Sequence, residues 1–466
     1  AETVVTGCAD GYARMAGKPA ATLLHCGPGF ANGIANIHNA RRAGSPMVNI
    51  VGDHATYHRR HDPPLAADTE GLARAASHWV GTCVTSSQVG ASAAAAVHAA
   101  KEPPGRIATL ILPADCAWED GGVAAAPQAA PGPAPVASEA IARVATVLKT
   151  RAPAVLVLTG AALGERGLAA AQRISQATGA MLRTPTQVPR MARGRGRPAV
   201  DRIPYSVDAA VQSLAGIGHV VLVGAAPPMA FFAYPGKPGL IAPAQASYHV
   251  LSRAEEDSVG ALERLADELG AGPLAVADSG ARPQVARGPF THEGFGGTFA
   301  ALLPENAVVV EEAVTSGRQL FAPTFIAAPH DWLQITGGAI GQGFPCATGA
   351  ALAAPDRKVV CLQADGGGMY SLQSLWTQAR ERLDIVNVVF ANRAYRILQG
   401  ELVAVGAQPG RASRELFDLS RPALDWVKLS QGMGVEATRV DTLEAFATEF
   451  AAACGRRGPF LIEFVI

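Results

Sequence analysis

The chain carries no excess of charge: 39 Lys and Arg are matched by 39 Asp and Glu over 466 residues. Without a basic field nothing holds a polyanion, which argues against nucleic acid as a partner. Apolar residues never run to eighteen in a row, so no segment reads as a membrane-spanning helix. The chain opens on Ala1-Glu2-Thr3 with an amphipathic pattern rather than a charged-then-apolar leader. The cysteines (Cys8, Cys26, Cys83, Cys116, Cys346, Cys361 and Cys454) form no Cys-x-x-Cys pair and are odd in number. That speaks against a disulfide framework and a zinc site, and for a reducing cytoplasm.

What is abundant is apolar and small. Hydrophobic residues make up 49% of the chain, beside 50 glycines, in a length too great for one core. Short apolar runs at Ala21–His25, Met47–Gly52, Ala108–Pro113, Ala154–Thr159, Val220–Gly224, Ala307–Glu311, Lys358–Gln363, Val386–Asn392 and Phe460–Ile466 read as buried parallel strands separated by helices. Two stretches rich in Ala, Pro and Gly, Ala124–Ala137 and Leu269–Arg287, read as linkers. The expected fold class is therefore α/β, with three doubly wound parallel-sheet domains at 1–123, 138–268 and 288–466.

The most specific pattern is Ala364-Asp365-Gly366-Gly367-Gly368 directly after one strand, with Asn392 at the end of the next. Both polar groups then leave the carboxyl ends of a sheet, where open α/β folds bind ligands. A carboxylate and an amide oxygen suit a hard cation such as Mg²⁺, and glycines let backbone N–H groups approach phosphate. Other polar clusters carry less. Asp53, His54, His58 and His61 have spacings compatible with a metal, but on a loop between domains they are expected to be solvated or near the substrate entrance. Arg193 to Arg197 reads as a solvated basic loop. The turn Gly160–Gly164 lacks Gly-x-Gly-x-x-Gly, so NAD is not expected.

The Asp365…Asn392 spacing resembles the Gly-Asp-Gly…Asn signature of thiamine-diphosphate enzymes, with Ala364 in place of the first Gly. The resemblance implies that Mg²⁺ is held by Asp365, Asn392 and the Ala394 carbonyl, with Gly366, Gly367 and Tyr395 beside the cofactor. Glu2 stands nine residues before Gly11-Tyr12-Ala13-Arg14, as the activating Glu does in this family, and Gly27-Pro28-Gly29 with Asn32 follows. Such a Glu shares a proton with the aminopyrimidine N1′ and so permits ylid formation. Gly337 to Pro345 resembles the glycine-rich turn that bends the cofactor, with Ile340 as the wedge under the thiazolium and the Gly338 carbonyl facing the 4′-amino group. The resemblance also implies that Val314 and Thr315 fall in the loop that binds the diphosphate.

The relatives this resembles are acetolactate synthase large subunits and, more distantly, benzoylformate decarboxylase. Their chemistry is carbon–carbon bond cleavage or formation on a 2-oxo acid. His25 matches an active-site His of benzoylformate decarboxylase and reads as a substrate-facing acid/base. Phe231 stands where that enzyme has its second His, and a phenyl ring moves no proton. Against acetolactate synthase, the window Arg393–Glu401 has no Trp, and no glycine-rich FAD loop is evident, which leaves FAD open. The first strand and helix that precede the Glu in this family are absent, so the first domain is expected to be N-terminally incomplete, and a non-catalytic cofactor-binding paralogue stands as an alternative. The resemblance also implies a homodimer or homotetramer, with the cofactor bridging the first unit of one subunit and the third of another.

Overall fold

The computed structural model describes residues 1–274 and 283–466. Residues 275–282, inside the second expected linker, lie outside the described residues. Three sheets follow one another along the chain, and the apolar runs are their strands. The first sheet is wholly parallel, in the order Ala20–His25, Met47–Asp53, Ile107–Pro113, Trp79–Thr82. The second, also parallel, runs Ser247–Ser252, His219–Val223, Ala154–Leu158, Met181–Thr184, Asp201–Arg202.

The third sheet has six parallel strands in the order Glu436–Val440, Phe460–Val465, Ile385–Ala391, Val359–Ala364, Val308–Glu312, His330–Gln334. Helices cover both faces, so Val359–Ala364 and Ile385–Ala391 are buried along nearly their whole length and read as unbroken apolar runs. A seventh strand, Met191–Arg193, comes from the middle of the chain and pairs antiparallel with His330–Gln334, placing Arg193 opposite His330.

That strand corrects the reading of Arg193–Arg197 as a solvated loop. Arg193 is fully buried, with its guanidinium carbon 3.6 Å from the Phe321 ring centre and 4.1 Å from that of Phe325, and it donates to the Phe321 carbonyl. Burial pulls it well below the usual arginine range. A planar, weakly hydrated cation can be accommodated there because it stacks on aromatic faces. Arg197 donates to the Arg193 and His330 carbonyls, both at 2.8 Å, so the basic run fastens the middle unit to the third.

The first unit meets the third through two helices, Glu2–Ala16 and Gly343–Ala353, which cross very closely. A β-carbon at Gly11 would come within 2.0 Å of the Cys346 carbonyl oxygen, and one at Gly349 within 1.9 Å of that of Cys8. Only glycine permits this approach. Among the described residues all seven cysteines are free, and no helix is long and apolar enough to cross a membrane.

Candidate active site

Parallel pairing of Val359–Ala364 with Ile385–Ala391 sets Ala364 opposite Phe390, so the residues that leave the two strands emerge side by side. These are Asp365 and Asn392. Asp365 is 2% exposed; its Oδ2 accepts from the Arg393 N–H at 2.6 Å and its Oδ1 from the Gly366 N–H at 2.9 Å. Asn392 Oδ1 accepts from the Ala394 N–H at 2.9 Å, and the Ala394 carbonyl accepts from Arg396 N–H at 2.9 Å. The loop is braced by Leu419 N–H donating to the Arg393 carbonyl and Tyr395 N–H to that of Phe417.

Burial raises the Asp365 carboxyl above the ordinary aspartate range, and among the described residues no cationic side chain is within ion-pair distance of it, Arg396 acting from farther off. A buried carboxylate beside an amide oxygen and a carbonyl oxygen is a donor set that fits a hard divalent cation. The glycines beside it leave space: a β-carbon at Gly366 would lie 2.5 Å from the Tyr395 ring, and one at Gly367 would lie 2.9 Å from Gln363 Nε2 and 3.0 Å from Glu312 Oε1. Tyr395 is thus packed against the Asp365 turn.

The turn Gly337 to Pro345 is held from two sides. Glu312, fully buried at the end of Val308–Glu312, accepts from the Gly341 N–H at 2.5 Å and from the Gly343 N–H. Burial pushes its carboxyl up to about 7, against the pull of those two N–H groups. From the first unit, Asn39 clamps Ala339, donating to its carbonyl at 2.8 Å and accepting from its N–H at 3.2 Å. Sequence reading named neither role. The signal for Glu312 was a pair of carboxylates closing an apolar strand; Asn39 had none, because its partner lies 300 residues away. Ile340 is half-buried in this turn, and Gly338, at φ 76°, faces the Phe231 ring, which a β-carbon there would approach to 2.8 Å.

Val314 opens the short helix Val314–Gly317 at φ 47°, a strained conformation for a β-branched residue. Thr315 lines a cleft of about 180 Å³ with Tyr205, Arg318, Arg396 and Glu401.

In the first unit, Glu2 begins the helix Glu2–Ala16, half-buried, and Asn32 Nδ2 donates to its Oε2 at 3.4 Å. A β-carbon at Gly29 would lie 3.5 Å from Glu2 Oε1 and 3.6 Å from the His25 β-carbon. Glu2, His25, Gly29 and Asn32 are therefore brought together, with His25 exposed at the start of helix Cys26–Ala43. Arg14 plays a different part: paired with buried Asp10 at 2.6 Å, it donates to the Gln334 carbonyl at 2.7 Å and ties the first unit to the third.

Among the described residues no hydrogen bond or ion pair of Glu2 or His25 reaches Asp365 or Asn392. The first-unit group and the glycine turn both touch helix Cys26–Ala43, but at Gly29 and at Asn39, ten residues or about 15 Å apart by helical rise.

Residues 1–68 match the model of the thiamine pyrophosphate enzyme N-terminal TPP binding domain, and residues 319–464 that of the C-terminal TPP binding domain. The chain is 49% identical, over all of its length and 90% of the relative's, to a Mycobacterium tuberculosis protein named "Putative acetolactate synthase large subunit IlvX". It is 26% identical to the benzoylformate decarboxylase of Pseudomonas aeruginosa, over 99% of this chain and 90% of that one. The solved structure of a Rhodococcus jostii thiamine diphosphate-dependent 4-hydroxybenzoylformate decarboxylase shares the fold, with a TM-score of 0.85 at 23% identity over 99% of this chain and 90% of that one. On the strength of these matches, the chain belongs to the thiamine pyrophosphate enzyme family, on the acetolactate synthase and decarboxylase side of it.

Proposed function

We propose that the protein breaks or forms the carbon–carbon bond next to the carbonyl of a 2-oxo acid, in the manner of acetolactate synthase. The observation that carries this is the buried Asp365, unpaired by any cation among the described residues and set beside Asn392 and Ala394 at the open ends of two strands. In this reading those three residues hold Mg²⁺ against a diphosphate, and Val314, Thr315, Gly366, Gly367 and Tyr395 line the diphosphate's place. Gly338 and Ile340 seat the rings. Bound there, thiamine diphosphate supplies the carbon nucleophile and electron sink that the bond cleavage needs.

The chain's own groups do the rest. Glu2 holds a proton at the pyrimidine N1′, and His25 moves one at the substrate. Glu312 fixes the glycine turn through two N–H groups, so the ring-seating residues are positioned before any ligand arrives. This reading leaves FAD open and takes the reaction to be cytoplasmic.

A second reading, a benzoylformate-type decarboxylase, is favoured by one contact. Phe231 lies against Gly338, so an aromatic ring from the middle unit borders the turn where an aryl 2-oxo acid would sit. Measuring CO₂ release from pyruvate and from benzoylformate, with thiamine diphosphate and Mg²⁺ added, separates the two. No release from either would remove both.

The ~15 Å between the Glu2 group and the glycine turn supports a site shared between subunits of a homodimer or homotetramer. Mixed oligomers of Glu2→Gln and Asp365→Ala chains are then expected to regain part of the activity, since one interface pairs two intact halves. No recovery in verified, folded mixed oligomers overturns the shared site.

A further inference from the structure

Beside His25 the structure gathers a set of donors that the proposed reaction does not use. In the first sheet His25 pairs with Gly52, so the residues that follow them, Cys26 at the helix start and Asp53 at the strand end, are neighbours, and His54 comes next. Cys26 Sγ, an Asp53 carboxylate oxygen and a His54 ring nitrogen all lie within 4.8 Å of one another. Of the histidines expected to be solvated or near the substrate entrance, His58 and His61 are exposed, whereas His54 is half-buried, and its Nε2 is buried with no hydrogen-bond partner among the described residues.

Two features mark the cluster as more than packing. Cys26 is held at φ 54°, an unfavourable conformation for a residue with a side chain, at the point where strand passes into helix. An orphaned buried imidazole nitrogen is the other, because buried polar atoms normally find a partner. Asp53 is only partly committed. Its Oδ2 accepts from Arg59 at 2.8 Å and its Oδ1 from the His54 N–H at 2.7 Å, while an ionised carboxylate has about four acceptor sites. A cleft of about 450 Å³ opens on the cluster, and its lining includes Asp53, Asp62, Asp68 and Glu70 against one cation, Arg59.

We propose that Cys26, Asp53 and His54 form a metal site distinct from the Asp365 set, suited to Zn²⁺ or a similar borderline cation. One sulfur, one nitrogen and one oxygen are the ligand types such an ion takes and Mg²⁺ does not. Three protein ligands leave a coordination position for water or for a ligand oxygen from the cleft. His25 stands at the edge, with its Nδ1 4.0 Å from Cys26 Sγ. The absence of any Cys-x-x-Cys pair concealed this set, because its members come from two strand ends 27 residues apart.

The test uses the full chain saturated with Mg²⁺ and thiamine diphosphate, dialysed against Zn²⁺ and then analysed for metal, with Co²⁺ as the spectroscopic probe. One Zn²⁺ per chain is expected, together with a near-ultraviolet thiolate-to-cobalt absorption. Cys26→Ser should abolish the absorption, and folded His54→Gln should loosen Zn²⁺ by more than about 100-fold, beyond the cost of losing an outer partner. Asp365→Ala and the double variant His58→Ala/His61→Ala should retain the ion. Should Cys26→Ser fail to fold, His54→Gln and Asp53→Asn decide. Zinc that persists in both, that follows His58 and His61, that disappears with Asp365, or that never binds the parent chain overturns the site.

Discussion

The two ends of the chain contribute to the candidate site in different ways. In the third unit the strands bearing Asp365 and Asn392 are buried on both faces, and the polar groups sit in a loop braced by backbone hydrogen bonds. In the first unit the strand Ala20–His25 alternates buried and exposed residues, leaving Leu23 74% exposed on the same face as His25. One half is walled by its own chain and the other is open. A parallel sheet is normally covered on both faces. The open face is therefore where a second surface would complete the site, as the shared-site reading requires.

The largest effect expected on either half is that of Asp365→Ala. Removing the carboxylate should abolish cofactor-dependent turnover and weaken retention of Mg²⁺ and thiamine diphosphate together, by on the order of 100-fold or more. Equilibrium dialysis of the cofactor with and without Mg²⁺ checks it, and unchanged Mg²⁺ dependence would sink the metal assignment. His25→Ala tests the open half. It should lower turnover by roughly 10²–10⁴-fold while leaving cofactor affinity nearly intact, since in the proposed reading the residue faces substrate. If affinity falls in step with turnover, His25 is structural.

Glu312→Ala probes the walled half without touching a ligand. It strands the Gly341 and Gly343 N–H groups, at about 1–3 kcal/mol each, and should appear as a lower Tm. The pH dependence has a definite sign. An acid raised from 4.5 to about 7 in the folded chain binds more proton folded than unfolded, so its contribution to stability is lost as pH rises from about 4.5 to 7. Glu312→Gln should remove that component from the stability profile, and an unaltered profile would mean that the carboxylate is not the group responsible.

Leu23→Asp carries the smallest effect on the chain itself. At 74% exposure it should leave folding of the isolated chain within about 0.5 kcal/mol. If the open face is an interface, sedimentation should show a looser oligomer; an unaltered oligomer would place the partner elsewhere.

The apolar runs at Val359–Ala364 and Ile385–Ala391 were legible in the sequence, since strands buried on both faces announce themselves as continuous hydrophobic stretches. So was the Asp365–Asn392 pair, because a polar residue just past such a run must emerge at the sheet's carboxyl edge. Short strands at a rim were not: Met191–Arg193 has three residues, and its arginine reads as surface until Phe321, Phe325 and Trp332 are folded around it. Local pattern fixes what a segment can form and which residues its ends present. The partners of Arg14, Asn39, Glu312 and Cys26 were decided only by tertiary structure, since each depends on which strand lies beside which, and pairing over 27 to 320 residues leaves no periodicity along the chain.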